Sequence, residues 1–137
     1  MPRVRRVLET ALYVEDLDRA VRFYERVIGL SAISRGDRLV GMDAGEGTVL
    51  LLFRRGATDS GASSGGGQIP PHDGEGPAHF AFAIDSRDLD SWRRHLADAG
   101  VEIESEVSWE RGGKSVYFRD PDGHSVELAT PGVWSVY

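Results

Sequence analysis

Three side chains far apart in the sequence, Glu9, His79 and Glu127, could together hold a divalent metal ion. One imidazole nitrogen and two carboxylates suit Zn²⁺, Ni²⁺, Mn²⁺ or Fe²⁺, and the carboxylates neutralise the charge. Three protein ligands leave coordination positions open for water or substrate, as a catalytic ion requires. Glu9 lies in VLETALYVEDLDRAVRFY and His79 in AHFAFAIDSRDLDSWRRH. Each segment is an alternating apolar run, then DLD, then an amphipathic stretch, so the acid and the imidazole occupy matching places in two copies of one unit. Glu127 lies in SVELATP, between Val126 and Leu128. A carboxylate on a mostly apolar strand needs a partner, because desolvating an unpaired charge is costly. A metal ion is one partner, and Arg119 on the neighbouring strand is another. Competing roles are a structural histidine at 79 and a rim carboxylate in water at 9.

The elements that must position these groups follow from periodicity. Residues 7–14 alternate with period two, the mark of a strand. Asp16 is placed to cap the helix that follows. Leu17, Ala20, Val21, Tyr24, Val27 and Ile28 form its apolar stripe, and Gly29 suits its end. Strands are expected near 31–35, 38–43 and 48–54. The second half repeats the order. Asp88 opens a helix carrying Leu89, Trp92 and Leu96 that stops at Gly100, and strands follow near 101–107, 114–119 and 124–129. Asp120 to Gly123, DPDG, reads as a type I turn. The expectation is α+β: two βαβββ modules pairing into a curved, cup-shaped mixed sheet with the helices outside. Module one spans about 5–55 and module two about 78–131, within one domain of 1–137. The Gly/Ser/Pro-rich connector 56–77 reads as a mobile loop, and 132–137 as an apolar tail.

Composition narrows the classes. Net charge is −6 with no basic stripe, which argues against a nucleic-acid partner. Arg3, Arg5 and Arg6 read as a solvated terminus. The chain has no cysteine, which excludes disulfides, thiolate ligands and a cysteine nucleophile. With no signal peptide or long apolar run, no membrane partner and a cytoplasmic location are expected.

The segments DLDRAVRFYERVIGL, HFAFAID and YFRDPDGHSVELATP together resemble the vicinal oxygen chelate superfamily, which groups glyoxalases, bleomycin-resistance proteins and extradiol dioxygenases. The closing hairpin YFRDPDGHSVELATP is the most specific piece. The resemblance implies paired βαβββ modules, within one chain or swapped between two, with metal ligands on opening and closing strands. Carried over residue by residue, the ligand positions are Glu9, His79 and Glu127. The fourth falls on Leu51, which cannot bind metal. The first position, commonly His or Gln in the family, is Glu here. The resemblance also implies a proton-shuttling carboxylate, Glu9 or Glu127, beside a metal-polarised substrate.

Other residues supplement this set. Tyr117 points toward the same face as Glu127 and could donate to a bound oxyanion. Tyr13, Leu51 and Phe53, with Val49, form an apolar floor. Arg119 either binds an anionic group or braces Glu127. Trp109, Arg111 and Lys114 surround WERGGK, whose Gly112 and Gly113 would let it move as a lid. His72 reads as an exposed loop histidine, with the mouth of the cup as its other possible place. Trp134 and Tyr137 would pack on a partner subunit or cover the pocket, which fits a homodimer. The favoured function is metal-dependent isomerase or lyase-type proton transfer on a small oxygenated metabolite. The alternative is metal-free sequestration of a drug, as in bleomycin resistance.

Overall fold

The first alternating run forms β1 (Glu9–Val14), with Leu12 and Val14 buried on one face. Asp16 then accepts the Arg19 N–H at 2.9 Å, capping α1 (Leu17–Phe23). The helix continues through a wider, π-type turn at Tyr24–Ile28, with Tyr24 and Val27 buried. Gly29 ends it at φ 84°, a left-handed conformation that costs a residue with a Cβ more than glycine. The structure, a computed structural model, describes all residues from Met1 to Tyr137. They divide into two units, Met1–Glu75 and Gly76–Tyr137.

In the first unit, β2 (Ser31–Arg35), β3 (Leu39–Asp43) and β4 (Val49–Arg54) complete a sheet of order β1-β4-β3-β2. β1 and β4 are parallel, and Ala11 stands opposite Leu51. Leu50, Leu52, Val40 and Met42 are buried, the alternation expected when a helix covers one face. Arg6 is not a free terminal residue. Its guanidinium donates to the Glu46 and Gly47 carbonyls at 2.6 and 2.9 Å. The connector differs from its expected irregular form. It folds a short hairpin, β5 (Ala62–Ser64) with β6 (Gly67–Ile69), and returns to bond His72 N–H to the Thr58 carbonyl.

The second unit repeats the plan with β7 (His79–Ala83), α2 (Leu89–Asp98), β8 (Ser105–Ser108), β9 (Lys114–Arg119) and β10 (Ser125–Ala129), in the order β7-β10-β9-β8. The expected strand near 101–107 starts later, at Ser105. A short 3-10 turn, Ser86–Asp88, leads into α2. Val116, Phe118, Val126 and Leu128 are buried, as is Leu96 of α2. The fold is therefore α+β, built from two βαβββ modules. No helix is long and apolar enough to cross a membrane.

Truncating Leu52, which is fully buried, should lower stability by about 2–5 kcal/mol through lost burial and a residual cavity. The same truncation at exposed Ile33 should change it by less than about 0.5 kcal/mol. Urea unfolding of the two variants checks the contrast.

Candidate functional site

Strand register brings four polar groups together on one face of the second unit. Glu127 stands opposite Tyr117 on β9 and Ala81 on β7, while Ser115 stands opposite Ala129. Because side chains alternate along a strand, Ser115, Tyr117 and Glu127 share a face, opposite the buried Val116, Phe118, Val126 and Leu128. His79, the first residue of β7, projects from the sheet edge onto the same face.

The hydrogen bonds form a chain. Trp109 Nε1–H donates to Ser115 Oγ at 2.9 Å, and Ser115 Oγ–H donates to Glu127 Oε1 at 2.5 Å. The other carboxylate oxygen, Oε2, lies 3.3 Å from His79 Nε2. His79 Nδ1 faces the Ser125 carbonyl at 3.1 Å. A carbonyl oxygen only accepts, so Nδ1 carries the hydrogen. In neutral imidazole Nε2 is then a lone-pair atom, aimed at a second lone-pair atom of the carboxylate. Two such atoms at this distance need a positive centre between them, either a proton or a metal ion. The carboxylate side chain is only 8% exposed and the imidazole 53%, so Glu127 is held from below while His79 stays accessible.

Tyr117 joins this group, its ring centroid 6.1 Å from that of His79. Burial pushes its phenol above the ordinary value; the bond to Ser115 works the other way, and the Glu127 carboxylate adds to the rise. The phenol stays protonated and able to donate at neutral pH.

Several expectations are corrected. Arg119 does not brace Glu127. It forks onto Glu104 at 2.6 and 3.1 Å and donates to the Gly123 carbonyl. The side chain reaches across to the residue before β8, while Glu127 finds its partners in Ser115 and His79. Gly113 does not loosen the WERGGK turn. A Cβ there would meet Val133 N at 2.3 Å and Gly132 C at 2.4 Å, so glycine serves close packing against the tail. The turn is also closed by Trp109 N–H to the Gly113 carbonyl at 2.8 Å. Lys114 N–H donates to Thr130 Oγ1. Trp109 spends its indole N–H on Ser115, and Arg111 is exposed with no ion pair. Tyr137 hydrogen-bonds the Ile84 carbonyl of its own unit at 3.1 Å, while Trp134 is exposed.

The first unit carries the remaining expected residues. Glu9 is exposed at the start of edge strand β1, opposite Val49. No further Asp, Glu or His joins the His79–Glu127 pair to make a three-donor group. Tyr13 and Phe53 stack at 5.8 Å, and Leu51 lies on the same face. His72 is not an exposed loop residue. It sits edge-on to Phe53 at 4.7 Å and takes the Tyr13 hydroxyl at 2.6 Å. Burial and the nearby Asp73 carboxylate push the Tyr13 phenol up. The registers also support the repeat. Leu51 stands opposite Ala11 as Glu127 stands opposite Ala81, and Gly41 occupies the place of Tyr117. Ser115 is the site residue that sequence reading does not single out. Its odd-numbered parity with Tyr117 and Glu127 was the available signal.

Comparison with known proteins agrees with this architecture. The family model described as Glyoxalase/Bleomycin resistance protein/Dioxygenase superfamily matches residues 6–128. The glutathione transferase FosA of Serratia marcescens is 30% identical over 117 residues, covering 85% of this chain and 74% of the relative. The metallothiol transferase FosB of Shouchella clausii (strain KSM-K16) is 32% identical over 121 residues, with 85% and 74% covered. Among solved structures, a lactoylglutathione lyase from Agrobacterium tumefaciens superposes with a TM-score of 0.85 at 34% identity, covering 95% of this chain and 96% of that one.

The Tyr117 phenolate, isolated by subtracting the ultraviolet titration of Tyr117→Phe, should appear at higher pH than that of a free tyrosine. Glu127→Gln should lower its midpoint, because the neighbouring negative charge is gone. A midpoint at or below the ordinary value contradicts this description of the site.

Proposed function

Because the chain belongs to the Glyoxalase/Bleomycin resistance protein/Dioxygenase superfamily, we propose that it is a metal-dependent enzyme acting on a small oxygenated metabolite. His79 Nε2 and Glu127 Oε2 hold the divalent ion, and Glu9 supplies the third donor. The observation that carries this reading is the pair of lone-pair atoms facing each other at 3.3 Å, with Nδ1 already committed to a carbonyl. The donor set fits Zn²⁺, Ni²⁺, Mn²⁺ or Fe²⁺. The repeat supports Glu9, which opens its edge strand as His79 opens its own.

The chemistry such an ion supplies when bound is polarisation of two adjacent substrate oxygens and stabilisation of an oxyanion. Ser115, itself held by Trp109, fixes the orientation of Glu127. Tyr117 donates its phenolic hydrogen to the oxygen that gains charge. A Glu9 carboxylate oxygen takes the proton from the hydroxyl-bearing carbon next to that oxygen's carbonyl and returns it to the carbonyl carbon, while the hydroxyl proton passes to the former carbonyl oxygen, which is isomerase or lyase-type transfer. Glu127 is the other carboxylate that could serve as this base. Tyr13, Leu51 and Phe53 supply the apolar floor, with Trp109 and Arg111 at the rim. Arg119 holds a substrate anion only by giving up Glu104. A second reading, thiol transfer, is favoured by the likeness to FosA and FosB.

Protein purified without chelator should carry close to one divalent ion per site by elemental analysis. His79→Ala should lose at least tenfold in metal affinity, and Ser115→Ala should weaken it by about tenfold while the ligands themselves remain. Equally negligible metal in wild type and His79→Ala overturns the reading. Assays for lactoylglutathione formation and for transfer of glutathione to an electrophilic acceptor then separate proton transfer from thiol transfer.

A further inference from the structure

His124 is almost fully buried, 2% exposed, and the site described above does not use it. It follows the DPDG turn and shares the parity of Val126 and Leu128, so its ring lies on the face of β10 opposite Glu127. It cannot reach an ion held by His79 and Glu127. Its Nδ1 instead accepts the backbone N–H of Ala78 at 2.9 Å. A backbone N–H only donates, so Nδ1 is unprotonated and His124 is the uncharged Nε2–H tautomer.

The bond falls where the sheet ends. The β7–β10 ladder begins with His79 opposite Ser125, which leaves the Ala78 N–H outside it. Without His124 that donor, on an exposed residue, would turn to water and the strand end would lose its anchor to the protein. On its other side the Ala78 carbonyl accepts Ser125 N–H at 2.8 Å, and the Ser125 carbonyl faces His79 Nδ1 at 3.1 Å. The peptide before His79 and the imidazole of His79 are thus both fixed by two consecutive residues, 124 and 125. The turn in turn fixes His124. The buried Asp120 carboxylate accepts N–H from Asp122 and from His124, each at 2.9 Å.

Resting on the reading of His79 and Glu127 as metal ligands, we infer that His124 is a positioning residue for His79, acting through the Ala78 peptide. It anchors the start of β7 so that His79 keeps Nδ1 on the Ser125 carbonyl and Nε2 toward Glu127. The requirement is for an acceptor at the Nδ1 place, not for an imidazole as such.

Two polar variants separate that requirement from simple packing. Asparagine can put its carbonyl oxygen near the Nδ1 place, whereas glutamine carries its polar end one bond further, near the Nε2 place. His124→Asn should bind zinc within about twofold of wild type, and His124→Gln should lose about tenfold or more. Wild-type zinc affinity in His124→Gln, or an equal loss in His124→Asn, overturns the inference. The ring nitrogen shifts of His79 in metal-free protein give an independent readout. They should report one Nδ1–H tautomer in wild type and His124→Asn, and a mixture in His124→Gln. A purely structural role lowers the unfolding midpoint of His124→Gln with His79 shifts unchanged, and that result also overturns the inference. If wild type binds no zinc, the functional reading fails, and the nitrogen shifts alone decide for or against His124.

Discussion

A carboxylate held below the surface of a sheet governs the second unit. Glu127 is flanked in sequence by fully buried Val126 and Leu128, so strand alternation fixes the face it occupies. Little of the side chain is open to solvent, so neighbours must compensate its desolvation. Ser115 saturates one oxygen and His79 faces the other. Ser115 is held by Trp109 and His79 by the Ser125 carbonyl, so the arrangement is set by partners of partners. Each member of the pair is thus held by a second hydrogen bond of its own.

The two modules share a plan but not a chemistry. Leu51 and Gly41 in the first occupy the register places of Glu127 and Tyr117 in the second. The first unit presents apolar and aromatic surface, with Tyr13, Phe53 and His72 in mutual contact. The second concentrates donors and acceptors. A duplicated scaffold thereby offers one face suited to contact with carbon and another suited to charge.

Most of the fold was legible because its signals are local. Period-two alternation, the Asp16 cap and the Gly29 stop each depend on a few adjacent residues, and each forms as expected. Glu127 facing away from the core was equally legible, since parity alone decides it. What escaped were pairings set by register and by side-chain reach. Arg119 reaches Glu104, fifteen residues away, and no local pattern distinguishes that carboxylate from Glu127. Trp109 was legible as part of a turn but not as the donor that orients Ser115. The connector misled because glycine and serine content reports backbone freedom, whereas the hairpin and the Tyr13–His72 bond depend on what the segment returns to.

Gly113 and Gly132 interlock backbone against backbone. A Cβ on Gly132 would lie 2.6 Å from Gly113 N, and one on Gly113 would strike Gly132 in return. Neither position accepts alanine while the other stays in place, so the two positions constrain each other. The side chains of Glu110 and Arg111, exposed at the tip of the turn, lie outside that contact, whereas Trp109 is tied to Ser115 and to the Gly113 carbonyl. Altered side chains are accommodated there, on the two residues at the tip of a turn whose base is closed by backbone packing.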